Sequence, residues 1–387
     1  MIVTPQYRVP EILTILSQKN LDGDNEPWRK QLDAVTGDEV ERAMSQAPGC
    51  YTFEKLVALV SPAAQDYLEE MAQIAHRLTV QRFGRTIRLY GPLYLSNFCI
   101  NSCRYCGFNN TTSFERTRLT VDQALREADI IASEGFSDIL LVSSEDRGFV
   151  SIDYLAELAG KLRQKFSFIS IEVYGMTAQE YHRLFEAGIE GVTLYQETYN
   201  RRAYQYYHPA GPKADYDNRL TTPDRMAAAG MREIGLGALL GLTDWRTETL
   251  ALAEHAHYLI KRYWRSHVSF SFPRLRPAFD VDSSQFQNLL TDKDLAQMIT
   301  ALRLCFADAG LVLSTRERAA LRDNLIKLGI TKMSAGSKTN PGGYSGCIDS
   351  IRQFEVDDSR SPAQVAAMIK QQGFDPVWKD WDAIFNA

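Results

Sequence analysis

The sequence predicts an α/β protein built on a (βα)8 TIM-type barrel over residues 86–335, with an N-terminal helical extension (1–85) and a C-terminal cap (336–387). Three observations carry this expectation. From residue 86 onward, short apolar runs alternate with helix-length amphipathic segments until eight runs have passed. Gly135, Gly188, Gly230 and Gly310 each follow a helical pattern, where a left-handed C′ residue is wanted. Both flanks differ in character: helical periodicity before residue 85, and turn-forming polar sequence after Gly336.

In the extension, residues 53–59 and 63–78 place apolar side chains at three- and four-residue steps, and Ser61-Pro62 reads as a helix start. The predicted strands are 87–95, 138–143, 169–174, 191–195, 233–239, 267–272, 311–314 and 331–334. They are nearly continuous apolar runs, as parallel strands covered on both faces should be. Helical patterns fall between them at 121–134, 153–165, 178–187, 223–230, 246–263, 292–308 and 316–328. A doubly wound sheet shares the alternation; the count of eight favours closure. In the tail, Thr339-Asn-Pro-Gly-Gly-Tyr-Ser-Gly346 is turn-forming, an amphipathic segment spans 362–372, and an aromatic stretch covers 376–381. This reads as a cap packed on the barrel.

The chain has 45% hydrophobic and 24% charged residues, as ordinary globular proteins do. A net charge of −5 argues against a general nucleic-acid or anionic-membrane binder. Residues 1–20 hold no long apolar core, and nothing approaches the roughly 20 apolar residues of a membrane span. A reducing cytoplasm is the expected compartment, since scattered cysteines do not form a disulfide framework.

Cys99, Cys103 and Cys106 are spaced C-x3-C-x2-C. A zinc site needs four ligands, and no second pair lies nearby. A [4Fe–4S] cube held by three thiolates instead keeps one iron open for a substrate or cofactor. On the barrel reading this loop follows strand 1, at the C-terminal face where barrel enzymes carry their sites. Gly107, after the third cysteine, lets backbone approach inorganic sulfide without a Cβ clash.

Other constellations fall on the same face. Strand 2 ends in Val142-Ser-Ser-Glu-Asp146, where Glu145 is either a ligand acceptor or part of a solvated helix start. Glu172 ends strand 3, where a carboxylate is expensive unless partnered. A long aromatic-rich insertion after strand 4 carries Glu197 and His208, either of which suits proton movement near neutral pH; a packed loop with a surface histidine is the plainer reading. Gly235, Gly237 and Gly241 permit close packing, with a place beneath a bound nucleoside as the functional alternative. Arg274, Arg276, Arg316 and Arg318 lie at the ends of strands 6 and 7, as carboxylate clamps or structural ion pairs, and Ser334 or Ser337 after strand 8 would complete a clamp.

With Tyr105 before the last cysteine and Gly107-Phe108 after it, the loop resembles the radical S-adenosylmethionine (SAM) signature. Further strings resemble the radical SAM tyrosine lyases of thiamine thiazole biosynthesis over residues 55–382: Pro92-Leu-Tyr-Leu-Ser-Asn97, Tyr195-Gln-Glu-Thr-Tyr199, Ser271-Phe-Pro-Arg-Leu-Arg-Pro277, Leu313-Ser-Thr-Arg-Glu317, Pro341-Gly-Gly-Tyr344 and Val377-Trp-Lys-Asp-Trp381. The family's Gly-Gly-Glu-like turn is Ser143-Ser-Glu145 here.

The resemblance implies a [4Fe-4S] cluster on the three cysteines and SAM on the open iron. Tyr105, Phe108, Ser144, Glu145 and Glu172 would then line the SAM site. Tyr94, Arg316 and a serine of Ser334 and Ser337 would hold the carboxylate of L-tyrosine, whose Cα–Cβ bond breaks to give 2-iminoacetate and p-cresol. It also implies a one-electron donor of the flavodoxin or ferredoxin type, and a thiazole synthase as a partner for the Trp-rich tail. A cousin that makes carbon monoxide and cyanide carries a second cysteine set, whereas only Cys347 follows the barrel here. A tryptophan-cleaving cousin stays open. So do two readings outside the family: an Fe–S redox protein with a fourth protein ligand, and a zinc barrel enzyme, which six scattered histidines serve poorly.

Overall fold

Eight parallel strands close on themselves: β1 (Thr86–Ser96), β2 (Asp138–Ser143), β3 (Phe168–Glu172), β4 (Gly191–Thr193), β5 (Glu233–Gly237), β6 (His267–Ser271), β7 (Gly310–Leu313) and β8 (Lys332–Ser334). Each pairs with the next, β8 pairs with β1, and β1 returns to β2 with Gly91 opposite Ile139. The computed structural model describes residues 11–378 apart from Cys347 and Asp349. The expected features at residues 1–10, at Cys347 and over 379–387, including Trp381, lie outside the described residues.

Outer helices Val121–Ser133, Ile152–Leu162, Ala178–Ala187, Trp245–Arg262 and Asp292–Cys305 fall where the periodicity puts them. Thr120, Thr177 and Thr291 open three of them with reciprocal capping boxes. Gly135, Gly188 and Gly230 have φ of 99°, 108° and 96°, as C′ residues require. Gly310 does not serve that purpose. It opens β7, and a Cβ there would lie 2.9 Å from the Ser269 Cβ, so close strand packing is what requires glycine.

The expected helix over 63–78 is divided. Ser61 caps a short 3-10 turn, Pro62–Tyr67, and the α-helix runs only from Leu68 to Phe83. The cap adds a strand absent from the sequence expectation, β9 (Asp375–Val377), beside Thr86–Arg88 of β1. The Ser137 N–H donates to the Trp378 carbonyl just beyond it.

Leu59 and Val60 of the extension, Ile139 and Ile171 of the barrel, and Val365 and Ile369 of the cap belong to one continuous buried cluster. Extension, barrel and cap therefore share a core. The N-terminal end of the barrel interior is ionic: Arg88 and Lys332 bridge Asp138 and Glu233. Burial alone would raise the Glu233 carboxyl, but Lys332 and Arg88 hold it down at about 2. The opposite end is left for chemistry. Among the described residues no helix is long and apolar enough to cross a membrane.

Candidate active site

The cysteine loop leaves β1 at the C-terminal mouth and is held by cations. Arg116 donates to the carbonyls of Asn97 (2.7 Å), Phe108 (2.9 Å), Asn109 (2.5 Å) and Thr112 (3.2 Å), fixing the loop from within. Asp146 accepts from Ser96 Oγ and takes both arms of Arg118, each at 2.7 Å. Ser144 Oγ donates to the carbonyls of Phe98 (2.5 Å) and Ser96 (3.2 Å). The serine in the Ser-Ser-Glu turn thus ties the end of β2 to the start of the cysteine loop.

Cys99, Cys103 and Cys106 line one open cavity. Burial pushes the Cys103 thiol up to about 12, against the pull of Lys213. Among the described residues, no three His, Cys, Asp or Glu side chains converge on one metal-ion position. Three thiols without a fourth ligand fit a cube with one open iron better than a four-ligand zinc site. Protein also closes over this glycine: a Cβ on Gly107 would stand 3.2 Å from the Gln353 carbonyl and 3.3 Å from Phe279 backbone.

A second cavity adjoins the first, sharing Glu172, Tyr195, Arg316 and Phe354 with it. The four arginines at the mouth divide in role. Arg274 grips Glu317 and Asp292, Arg318 pairs with Asp292, and Arg276 pairs with Asp357. Arg316 forms no salt bridge among the described residues; it stacks 3.5 Å above the Phe354 ring and lines both cavities. Burial pushes Glu172 up to about 7 against the pull of Arg316.

The expected serines also separate. Ser334 Oγ accepts the Thr315 N–H at 3.1 Å, whereas Ser337 Oγ is buried with no hydrogen-bond partner among the described residues and faces the second cavity. Tyr94 lines that cavity and donates to Gln353 at 2.8 Å. Glu145 lines the first cavity and accepts from Asn101.

Two expected residues sit behind the walls. Phe108, expected to line the SAM site, is 1% exposed and packs edge-on to Tyr94. His208, expected to move protons, is also 1% exposed. Its Nδ1 lies 2.8 Å from the Tyr204 carbonyl, which can only accept, so Nδ1 carries the proton and Nε2 accepts from Tyr105 at 2.7 Å. Burial, reinforced by Lys213, drives its pKa down to about 3. His208 is neutral and positions Tyr105, which does line the first cavity.

Glu197 lines the same cavity with φ of 69°. Burial alone would raise its carboxyl, but Lys213 and Arg219 hold it below the usual carboxylate range. It is an anion locked in an ion pair, not a free base.

The strand-5 glycines serve their neighbours. A Cβ on Gly235 would meet Thr193 Oγ1 at 2.3 Å, and one on Gly237 would meet the Tyr195 ring at 2.7 Å. Sequence reasoning missed Arg116, Tyr195, Lys213, Arg219 and Gln353. Tyr195 sits inside the string Tyr195-Gln-Glu-Thr-Tyr199, but Gln353 carries no local signal.

Residues 93–253 match the Radical SAM superfamily, and residues 271–375 match the Biotin and Thiamin Synthesis associated domain. The chain is 44% identical over 356 residues to the 2-iminoacetate synthase of Salmonella typhimurium, covering 92% of this chain and 93% of that one. It is 43% identical over 366 residues to the 2-iminoacetate synthase of Escherichia coli, covering 94% and 96%. The solved structure of HydG, a maturase of the [FeFe]-hydrogenase, superposes with a TM-score of 0.87 at 32% identity, over 93% of this chain and 81% of that one.

Proposed function

The chain belongs to the 2-iminoacetate synthase family of radical SAM enzymes, and we propose on that premise that it cleaves the Cα–Cβ bond of L-tyrosine to 2-iminoacetate and p-cresol for the thiazole of thiamine. The observation that carries the reading is the junction of two cavities. One is lined by three thiols, and the next by an arginine that forms no salt bridge among the described residues.

Cys99, Cys103 and Cys106 would hold a [4Fe-4S] cluster, leaving one iron for SAM. When bound, that pair supplies reductive cleavage of SAM and a 5′-deoxyadenosyl radical able to take hydrogen from the amino group of tyrosine. The residues of the chain bind, orient and exclude water. Arg316 clamps the tyrosine carboxylate while Ser337 and Tyr94 donate to it; Ser337 is favoured over Ser334 because its buried Oγ has no partner among the described residues, whereas Ser334 Oγ is already held by the Thr315 N–H. Glu145 and Glu172 accept from SAM, Tyr105 is held at the cavity wall by His208, and Ser144 fixes the loop beneath. Glu197 keeps Lys213 and Arg219 in place beside the thiols. The products sum to tyrosine in atoms, with one further electron and a proton needed to turn the cresolyl fragment into p-cresol. A flavodoxin- or ferredoxin-type donor supplies the electrons, and a thiazole synthase takes the hydrolysable imine.

Substrate choice is tested by 5′-deoxyadenosine formation in the reduced, anaerobically reconstituted protein. Tyrosine should stimulate it well beyond tryptophan. Stronger stimulation by tryptophan would move the chain to the tryptophan-cleaving reading.

A further inference from the structure

Gln353 comes from the cap, 247 residues beyond Cys106, yet its side chain reaches between the two halves of the site. Its Nε2 lies 3.9 Å from Cys106 Sγ, and its Oε1 accepts from Tyr94 Oη at 2.8 Å. The orientation of the amide is chemically determined. A thiolate can only accept, so the NH2 end faces sulfur and the carbonyl end is left for the phenol.

The backbone of the same segment is fixed. The Gln353 N–H donates to the Thr339 carbonyl at 2.9 Å, and the Thr339 hydroxyl donates to the Phe354 carbonyl at 3.1 Å. The Gln353 carbonyl packs so closely over Gly107 that any Cβ there would stand 3.2 Å from it. Its neighbour Phe354 lies under the Arg316 guanidinium at 3.5 Å. Two consecutive cap residues therefore touch Tyr94 and Arg316, and one of them also reaches a cluster thiol.

We propose that Gln353 is a positioning residue that couples the carboxylate site to the cluster, donating to the Cys106 sulfur while braced by Tyr94. The coupling to substrate rests on the tyrosine reading above; the contact with sulfur does not. A hydrogen bond to a ligand sulfur stabilises the extra negative charge of the reduced cluster, so it raises the reduction potential. A substrate carboxylate that takes the Tyr94 hydroxyl removes the brace from Oε1, loosens the amide and lowers the potential. The cluster thus becomes a stronger reductant when tyrosine is in place.

The test is an EPR-monitored redox titration of reconstituted protein without SAM, for wild type, Gln353→Leu and Tyr94→Phe, with iron and sulfide content measured in each. The midpoint should move negative in Gln353→Leu and move less in Tyr94→Phe. Added tyrosine should shift the wild-type midpoint negative and leave Gln353→Leu unmoved. Equal midpoints for wild type and Gln353→Leu would overturn the proposal. So would loss of the cluster from both variants, which would make the contact purely structural. A midpoint that responds to Gln353→Leu in a protein that makes no p-cresol would keep the hydrogen bond to sulfur and overturn only the coupling to tyrosine.

Discussion

Tyr105 Oη donates to His208 Nε2 at 2.7 Å, and this pair holds an aromatic wall of the cavity between two cluster cysteines. The histidine is the buried member and the half-buried tyrosine lines the cavity, which reverses the roles that residue types alone suggest. His208 is neutral in the fold, with a pKa near 3 against an ordinary value of 6.5.

That depression has a pH signature. Between about 3 and 6.5 the unfolded chain takes up a proton at His208 that the folded chain refuses. Stability from this group is complete above 6.5 and is lost as pH falls toward 3. Thermal unfolding of the apoprotein should show that decline, and His208→Gln should flatten it. Buried His255, also near 3, contributes a second share that the variant leaves in place.

Removing the clamp separates binding from folding. Arg316→Leu should raise KM for tyrosine roughly 10- to 100-fold, as loss of a charge-assisted pair worth about 1.5–3 kcal/mol requires. Ser337→Ala should raise it about fivefold with an unchanged melting temperature. Ser334→Ala should instead lower the melting temperature, because it leaves the Thr315 N–H unpaired. Steady-state kinetics and calorimetry on the three variants check the division.

Gly237→Ala places a methyl 2.7 Å from the Tyr195 ring, which lines both cavities. Overpacking of this kind costs about 1–3 kcal/mol. The displaced ring should cost turnover as well as stability, and an unaltered KM and melting temperature together would contradict the placement.

Glu197→Gln keeps the shape and removes the charge that Lys213 and Arg219 face. Breaking a buried pair on one side costs about 3–5 kcal/mol, so the apoprotein should melt well below wild type. A retained melting temperature would show that solvent already screens the pair.

What could be read along the chain was whatever local pattern determines. The eight strands show as apolar runs because both faces are covered, and even the three-residue β4 emerges between its flanking glycine and the Tyr195 string. β9 does not show, because Pro376 at its centre reads against a strand and is tolerated only where no ladder N–H is needed. The cysteines show because their spacing is local. Ser334 and Ser337 cannot be told apart from sequence, since what separates them is a hydrogen bond to Thr315 across β7 and β8. His208 misleads for the same reason: its burial depends on Tyr204, Tyr105 and Lys213, and residue type says nothing of that. Gln353 lies furthest from legibility, because its significance exists only in three dimensions.

The central claim is that the thiol-lined cavity and the Arg316 cavity act together on tyrosine. The most direct measurement is product analysis of the reduced, reconstituted protein given SAM and tyrosine. It should form p-cresol and, from hydrolysis of the imine, glyoxylate in equal amounts, with one 5′-deoxyadenosine for each. SAM cleavage at full cluster loading with no p-cresol would contradict it.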